Sequence, residues 1–181
     1  MVGWGNNIHP FAKQKWSNPF ALNSEYSRTI EYFMLVHYLT KYLDFGDTIF
    51  MILKQNFRQL SFLHIFHHSS ILVVWGYLLQ TGHANGTAYF GAAINSFVHT
   101  IMYSHYLWTT LGLNNPFKRM VTQIQMVQFF LCLLHAVMVV VLERVLPSYL
   151  AYLQLSYHCI MIYLFMDFQR RTYTESKKRT K

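Results

Sequence analysis

The length of its apolar stretches restricts this chain more than any other feature. Crossing bilayer hydrocarbon takes about 20 mostly apolar residues in succession. Four stretches reach that length: Leu60 to Gln80, Thr87 to Trp108, Met120 to Leu142 and Pro147 to Phe168. A fifth, Thr29 to Leu53, is long enough but carries Glu31, Lys41, Asp44 and Asp47, so hydropathy alone argues for it more weakly. Blocks of this kind do not follow the short amphipathic pattern of a soluble core.

The 181 residues, 53% hydrophobic and 12% charged, suffice for one domain. It divides into an amino-terminal segment (1–26), a membrane domain (27–169) and a basic tail (170–181). Met1 to Asn23 has no apolar h-region, so no cleavable signal peptide is expected. Much of the net charge of +8 sits in the tail, at Arg170, Arg171, Lys177, Lys178, Arg179 and Lys181. A basic run just after a span is a topology signal, with attraction to anionic lipid as a second effect. No aromatic and basic residues interleave outside the apolar blocks, which argues against a nucleic-acid partner.

With the tail placed in the cytosol, the connectors alternate as the positive-inside rule requires. Those holding Lys54 with Arg58 and Lys118 with Arg119 fall on the cytosolic side, whereas Thr81 to Gly86 is uncharged and Glu143 cancels Arg144. The amino-terminal segment and the sequon Asn85-Gly86-Thr87 are then lumenal. The connectors are short and punctuated by Gly82, Gly86, Gly112, Pro116 and Pro147. The tail is expected to be disordered. Cys132 and Cys159 lie in apolar stretches and read as small core residues.

Polar side chains inside a bilayer are costly and ordinarily face a bundle interior or an aqueous cavity, where they mark function. The first stretch holds Lys41, Asp44, Asp47 and Thr48 at spacings of three and four, on one helical face near its cytosolic end. An ion pair at a solvated helix end is the alternative reading. In the second, His64, His67 and His68 crowd one turn, an arrangement that calls for a metal, a proton relay or a reacting substrate. The third presents Asn95, His99, Met102, Tyr103 and Tyr106 along one stripe. The fourth has Thr122, Gln125 and Gln128, with His135 deeper, although interhelical hydrogen bonding alone explains any single Asn or Gln of this kind. Together these stripes predict an all-α polytopic membrane helix bundle of about five spans around a shared polar chamber.

The same residues resemble, in order, the motifs of the ELO family of very-long-chain fatty-acid elongases, over roughly Tyr38 to Tyr173. Lys41-Tyr-Leu-Asp44-Phe-Gly-Asp47-Thr48 is similar to KxxExxDT, and His64-Ile-Phe-His67-His68 is an HxxHH box. Asn95-Ser-Phe-Val-His99-Thr-Ile-Met102-Tyr103 resembles NxxxHxxMY, and Thr122-Gln-Ile-Gln125-Met-Val-Gln128 resembles TxxQxxQ. Asp44 stands where the pattern has Glu, and His105 replaces the first Tyr of the usual MYxYY ending. The family fold has seven spans, so the resemblance implies spans upstream of Met1 and a bundle left incompletely closed without them.

The resemblance implies a 3-ketoacyl-CoA synthase of the endoplasmic reticulum membrane, joining an acyl-CoA to malonyl-CoA. It puts the nucleophile on His67, with His99 facing it, and gives His64 and His68 orienting or relaying parts. Asn95, Tyr103 and Gln128 would donate hydrogen bonds to the thioester or enolate oxygen. Lys41 at the cytosolic mouth would hold CoA phosphates, with Asp44 and Asp47 shaping that end. Thr48, Met102, Tyr106, Thr122 and Gln125 complete the expected substrate-binding set. Ile65-Phe66 within the box, with Gln59 ahead of it, resembles elongases of polyunsaturated chains. No metal or cofactor is expected beyond the two CoA substrates, and the expected partners are membrane lipid, a second copy of the chain and other enzymes of the elongation cycle. The rival readings are a di-iron desaturase or hydroxylase, which needs several clustered histidine boxes where this chain has one, and an inactive elongase fragment acting as a bundle partner.

Overall fold

The structure, a computed structural model, describes residues 20–22, 27–53, 55, 60–113 and 118–179, the side chains of 118, 119 and 172–179 excepted. The described elements are all helices: α1 (Arg28–Leu53), α2 (Phe62–Gln80), α3 (Ala88–Thr110), α4 (Lys118–Leu142) and α5 (Ser148–Arg179). The shortest, α2, has 19 residues and extends about 28 Å, close to the thickness of bilayer hydrocarbon. Three helices are also apolar enough to cross a membrane: α2, α4 from Met120 to Leu142, and α5 from Ser148 to Arg171. α3 falls outside that group, contrary to expectation, and so does α1. Their polar residues lower an average taken around the whole helix.

Burial is inverted relative to a soluble protein. Lys41 and Asp44 are each 4% exposed, while Leu43 beside them is 76% exposed and Val73 and Tyr163 are each 72% exposed. Charges inside and large apolar side chains outside is an arrangement that a lipid surround stabilises and water would oppose. This removes the reading of Lys41 and Asp44 as a solvated helix end.

Among the described residues the helices close into a ring. α1 packs on α2 and α3, α3 on α4, α4 on α5, and α5 returns to α2, while side chains alone reach across the middle. α5 packs on the flank of α2 that α1 leaves free. Local sequence sets the ends of the helices around the site. Ser61 caps α2, its Oγ accepting from the His64 backbone N–H at 3.1 Å. Gly82, at φ 73°, takes the left-handed turn after α2 that residues with a Cβ resist.

One end of the ring is tied together by polar contacts. Asn85 is 9% exposed; its Oδ1 accepts from the N–H of Ser27 at 3.1 Å and of Gly86 at 2.9 Å, and its Nδ2 donates to Ser27 O at 2.7 Å. His135, 1% exposed, lies 2.9 Å by its Nε2 from Phe20 O and 3.1 Å by its Nδ1 from Gln154 Nε2, and its ring stacks on Phe90 at 4.4 Å. With its amide buried and bonded to the Ser27 backbone, Asn85 ties the turn before α3 to the start of α1, a placement that disfavours glycan transfer. Glycosidase treatment should leave the mass of the protein unchanged. Asn85→Ala should cost about 1–3 kcal/mol by orphaning the Ser27 backbone, read as a lower unfolding temperature in detergent.

The tail also differs from expectation, since α5 continues as helix to Arg179. From Asp167 onward there is neither Gly nor Pro, and Arg171 pairs with Asp167 at 2.9 Å one turn back. Lys54, Arg58, Gln59 and nearly all of the amino-terminal segment lie outside the described residues, as do the side chains of Lys118 and Arg119.

Candidate active site

α1 contributes a stripe on one face. Lys41 lies at the midpoint of the helix rather than near its end, and its Nζ donates to Asp44 Oδ2 at 3.0 Å and to Asn95 Oδ1 of α3 at 2.7 Å. Lys41 is thus an internal cation held by two oxygens. Asp44 and Asp47 flank the hydroxyl of Tyr103, each at 2.7 Å. One turn further, Thr48 Oγ1 lies 2.9 Å from His64 Nε2 and joins α1 to the histidine box.

The three box histidines point in different directions from one turn of α2. His64 faces α1 through Thr48, and His67 faces α5, where its Nδ1 lies 3.1 Å from the hydroxyl of Tyr157. His68 stands between them and looks into the ring. Its ring centroid is 4.3 Å from His64, 5.2 Å from His67 and 6.4 Å from His99 of α3. α2 and α3 are not packed on each other, so the last of these contacts spans the interior. His99 Nδ1 in turn lies 3.6 Å from Asp44 Oδ2, beyond hydrogen-bond length but close enough for an electrostatic interaction.

The remaining expected residues lie on α3 and α4. Gln125 of α4 donates to Met102 Sδ at 3.3 Å, Gln128 is buried and Thr122 is half-buried. Tyr106 packs its ring on Tyr103 and is 48% exposed. The apolar wall beside His67 is Phe129, with ring centroids 6.1 Å apart.

Three site residues were not among those expected. His37, one turn before Lys41, binds Ser96 Oγ at 2.8 Å and packs edge-on against Trp75. Ser70 and Tyr157 join at 3.1 Å beside His67. Extending the α1 and α2 stripes by one turn would have found His37 and Ser70. Nothing local marks Tyr157 among the tyrosines of α5.

Three buried ring nitrogens have no hydrogen-bond partner among the described residues: His37 Nε2, His68 Nδ1 and His99 Nδ1. Such atoms are expensive to leave unpaired in a protein interior, and all three belong to the histidine and lysine network. The two cysteines stand apart from it. Cys132 is buried on α4 and Cys159 is exposed on α5, while the neighbouring His158 binds the Gln154 carbonyl through its Nδ1 at 2.7 Å.

A model of the ELO: GNS1/SUR4 family matches residues 5–181. The chain is similar to fatty acid elongase 5 of Leishmania major, at 53% identity over 162 residues, covering 90% of this chain and 65% of that protein. It is similar to fatty acid elongase 4 of Trypanosoma brucei brucei at 50% over 149 residues, covering 82% and 59%. Very long chain fatty acid elongase 4 of Homo sapiens is 34% identical over 149 residues, covering 78% and 46%. The chain thus spans between about half and two thirds of the length of these relatives.

Proposed function

The chain belongs to the ELO: GNS1/SUR4 family, and from that premise we propose that it condenses a long-chain acyl-CoA with malonyl-CoA to give a 3-ketoacyl-CoA, carbon dioxide and free CoA. The observation that carries the proposal is the meeting of His67 and His68 of α2 with His99 of α3 across the ring interior. The names of the relatives support the reaction class, and the lipid-facing exterior suits an acyl substrate.

In this reading an imidazole nitrogen of His67 attacks the thioester carbonyl carbon. The C–S bond breaks as the C–N bond forms, CoA leaves as a thiolate, and the acyl-imidazolium carries the positive charge. Loss of carbon dioxide from malonyl-CoA leaves an enolate, whose carbon attacks the acyl carbon and returns neutral imidazole. The thiolate takes one proton from water, so charge and atoms balance. His68 lies between His67 and His99, where its ring helps to orient the two. Asn95 and Tyr103 hold Lys41, Asp44 and Asp47, whose net field faces the same space. Thr122, Gln125, Gln128 and Met102 line the acyl side, and Tyr106 stands where substrate enters.

The proposal extends to residence in the endoplasmic reticulum membrane and to polyunsaturated acyl chains, the latter on the Ile65-Phe66 form of the box. The test offers the intact protein in lipid nanodiscs a mixture of acyl-CoAs with labelled malonyl-CoA. The expected products are labelled, two carbons longer, enriched in polyunsaturated chains, and formed equally with a strong chelator present. Desaturated product without added carbon, or activity lost on chelation and restored by iron, would replace this reading with the di-iron one.

A further inference from the structure

The hydroxyls around His67 form a chain whose protons can be counted. Ser70 Oγ lies 2.5 Å from the carbonyl oxygen of Phe66 and 3.2 Å from that of His67. Two oxygens 2.5 Å apart need a proton between them, because two facing lone pairs would repel at that distance. A carbonyl has none to give, so the single Ser70 proton is committed to the backbone. Ser70 can then only accept from Tyr157, whose hydroxyl lies 3.1 Å away.

Tyr157 also has one proton and two neighbours, Ser70 Oγ and His67 Nδ1, each at 3.1 Å. Were it to donate to His67, the contact with Ser70 would join two oxygens with no proton between them. Donation to Ser70 leaves the Tyr157 oxygen as an acceptor, and both contacts are satisfied if His67 Nδ1 carries the hydrogen. The consistent order runs from His67 Nδ1–H to Tyr157, from Tyr157 to Ser70, and from Ser70 to Phe66 O.

We infer that Tyr157 and Ser70 are positioning residues that hold His67 in its Nδ1–H tautomer, leaving the lone pair on Nε2 for attack on the acyl carbon. The inference rests on the proposed role of His67 and adds which nitrogen reacts and what decides it. Nε2 has no hydrogen-bond partner among the described residues, as an attacking atom requires. The Tyr157 oxygen is also placed to stabilise the positive charge that spreads to Nδ1–H once Nε2 is acylated, the usual part of a group that orients a reacting imidazole. Stacking of Tyr157 on Phe66, with centroids 6.5 Å apart and planes at 20°, fixes the phenol against the box.

The experiment has two arms. In the first, the intact protein carrying ¹⁵N-labelled histidine is examined by nitrogen NMR without substrate, with His67→Gln used to assign the signal. The expected state is a protonated Nδ1 and an unprotonated Nε2; the opposite tautomer overturns the inference whatever the enzyme does. In the second, the rate of acyl-enzyme formation is followed by mass spectrometry. Tyr157→Phe keeps the stacked ring and removes the acceptor, and should slow acylation about 10–100-fold, the range for lost orienting partners, with KM for acyl-CoA nearly unchanged. Ser70→Ala frees Tyr157 to donate to Nδ1 and should slow acylation similarly, and Ser70→Thr should restore it. Unchanged acylation in Tyr157→Phe and Ser70→Ala also overturns the inference. If His67 is never acylated in a protein with the expected tautomer, the fault lies with the proposed nucleophile and not with the hydrogen-bond order.

Discussion

His67→Ala is expected to abolish both acyl-enzyme formation and condensation, a fall of roughly three orders of magnitude or more, the scale on which loss of a nucleophile acts. In the normal protein acyl-CoA alone should release free CoA and leave the chain heavier by one acyl group, before any malonyl-CoA is present. His99→Ala should behave differently. His99 lies across the ring from the box and beside Asp44, so condensation should suffer while the adduct still forms. Cys132→Ser and Cys159→Ser should be tolerated, since one thiol is buried on α4 and the other is exposed on α5, neither within the histidine network. Mass spectrometry after exposure to acyl-CoA decides between these outcomes. An acyl mass on Cys159, or condensation in His67→Ala at the normal rate, would remove His67 from the mechanism.

What the sequence reveals of this site is what spacing along one helix can carry. His64, His67 and His68 share a turn in any helix, and the order of polar stripes along the chain is enough to predict that they meet. The pattern does not say which helix each member faces. His67 turns to Tyr157, 90 residues away, because α5 closes the ring against α2, a contact no local periodicity encodes. The partners of Lys41 are hidden for the same reason: Asp44 lies one turn on, but the second oxygen comes from Asn95, 54 residues away. His135 looked like one more polar group in a membrane helix; its bonds to Phe20 and Gln154 make it a fastener between segments. Hydropathy averages around a helix, so the polar groups of α3 lower its score without keeping it from lining the interior.

The buried charge on Asp44 leads to the largest expected effect on stability. Its carboxylate meets Lys41 Nζ at 3.0 Å, the Tyr103 hydroxyl at 2.7 Å and His99 Nδ1 at 3.6 Å, so it is the anion that offsets a buried ammonium. Asp44→Ala should destabilise the protein by about 3–5 kcal/mol, because removing one partner of a buried pair leaves the other uncompensated. Much of that cost belongs to the stranded Lys41 and not to the lost bond. Lys41→Met added to Asp44→Ala should therefore recover part of the loss, whereas independent sites would only add their penalties. Asp44→Asn keeps the shape and an acceptor oxygen for Lys41 and should fall between the normal protein and Asp44→Ala. Tyr103 also donates to Asp47 at 2.7 Å, a contact that none of these substitutions touches, so the comparison should isolate the ion pair. Unfolding in detergent against denaturant measures all four proteins on one scale. Equal stability of Asp44→Ala and the normal protein, or strict additivity in the double variant, would mean that Lys41 reaches water or lipid headgroups and that the pair is not the buried anchor described above.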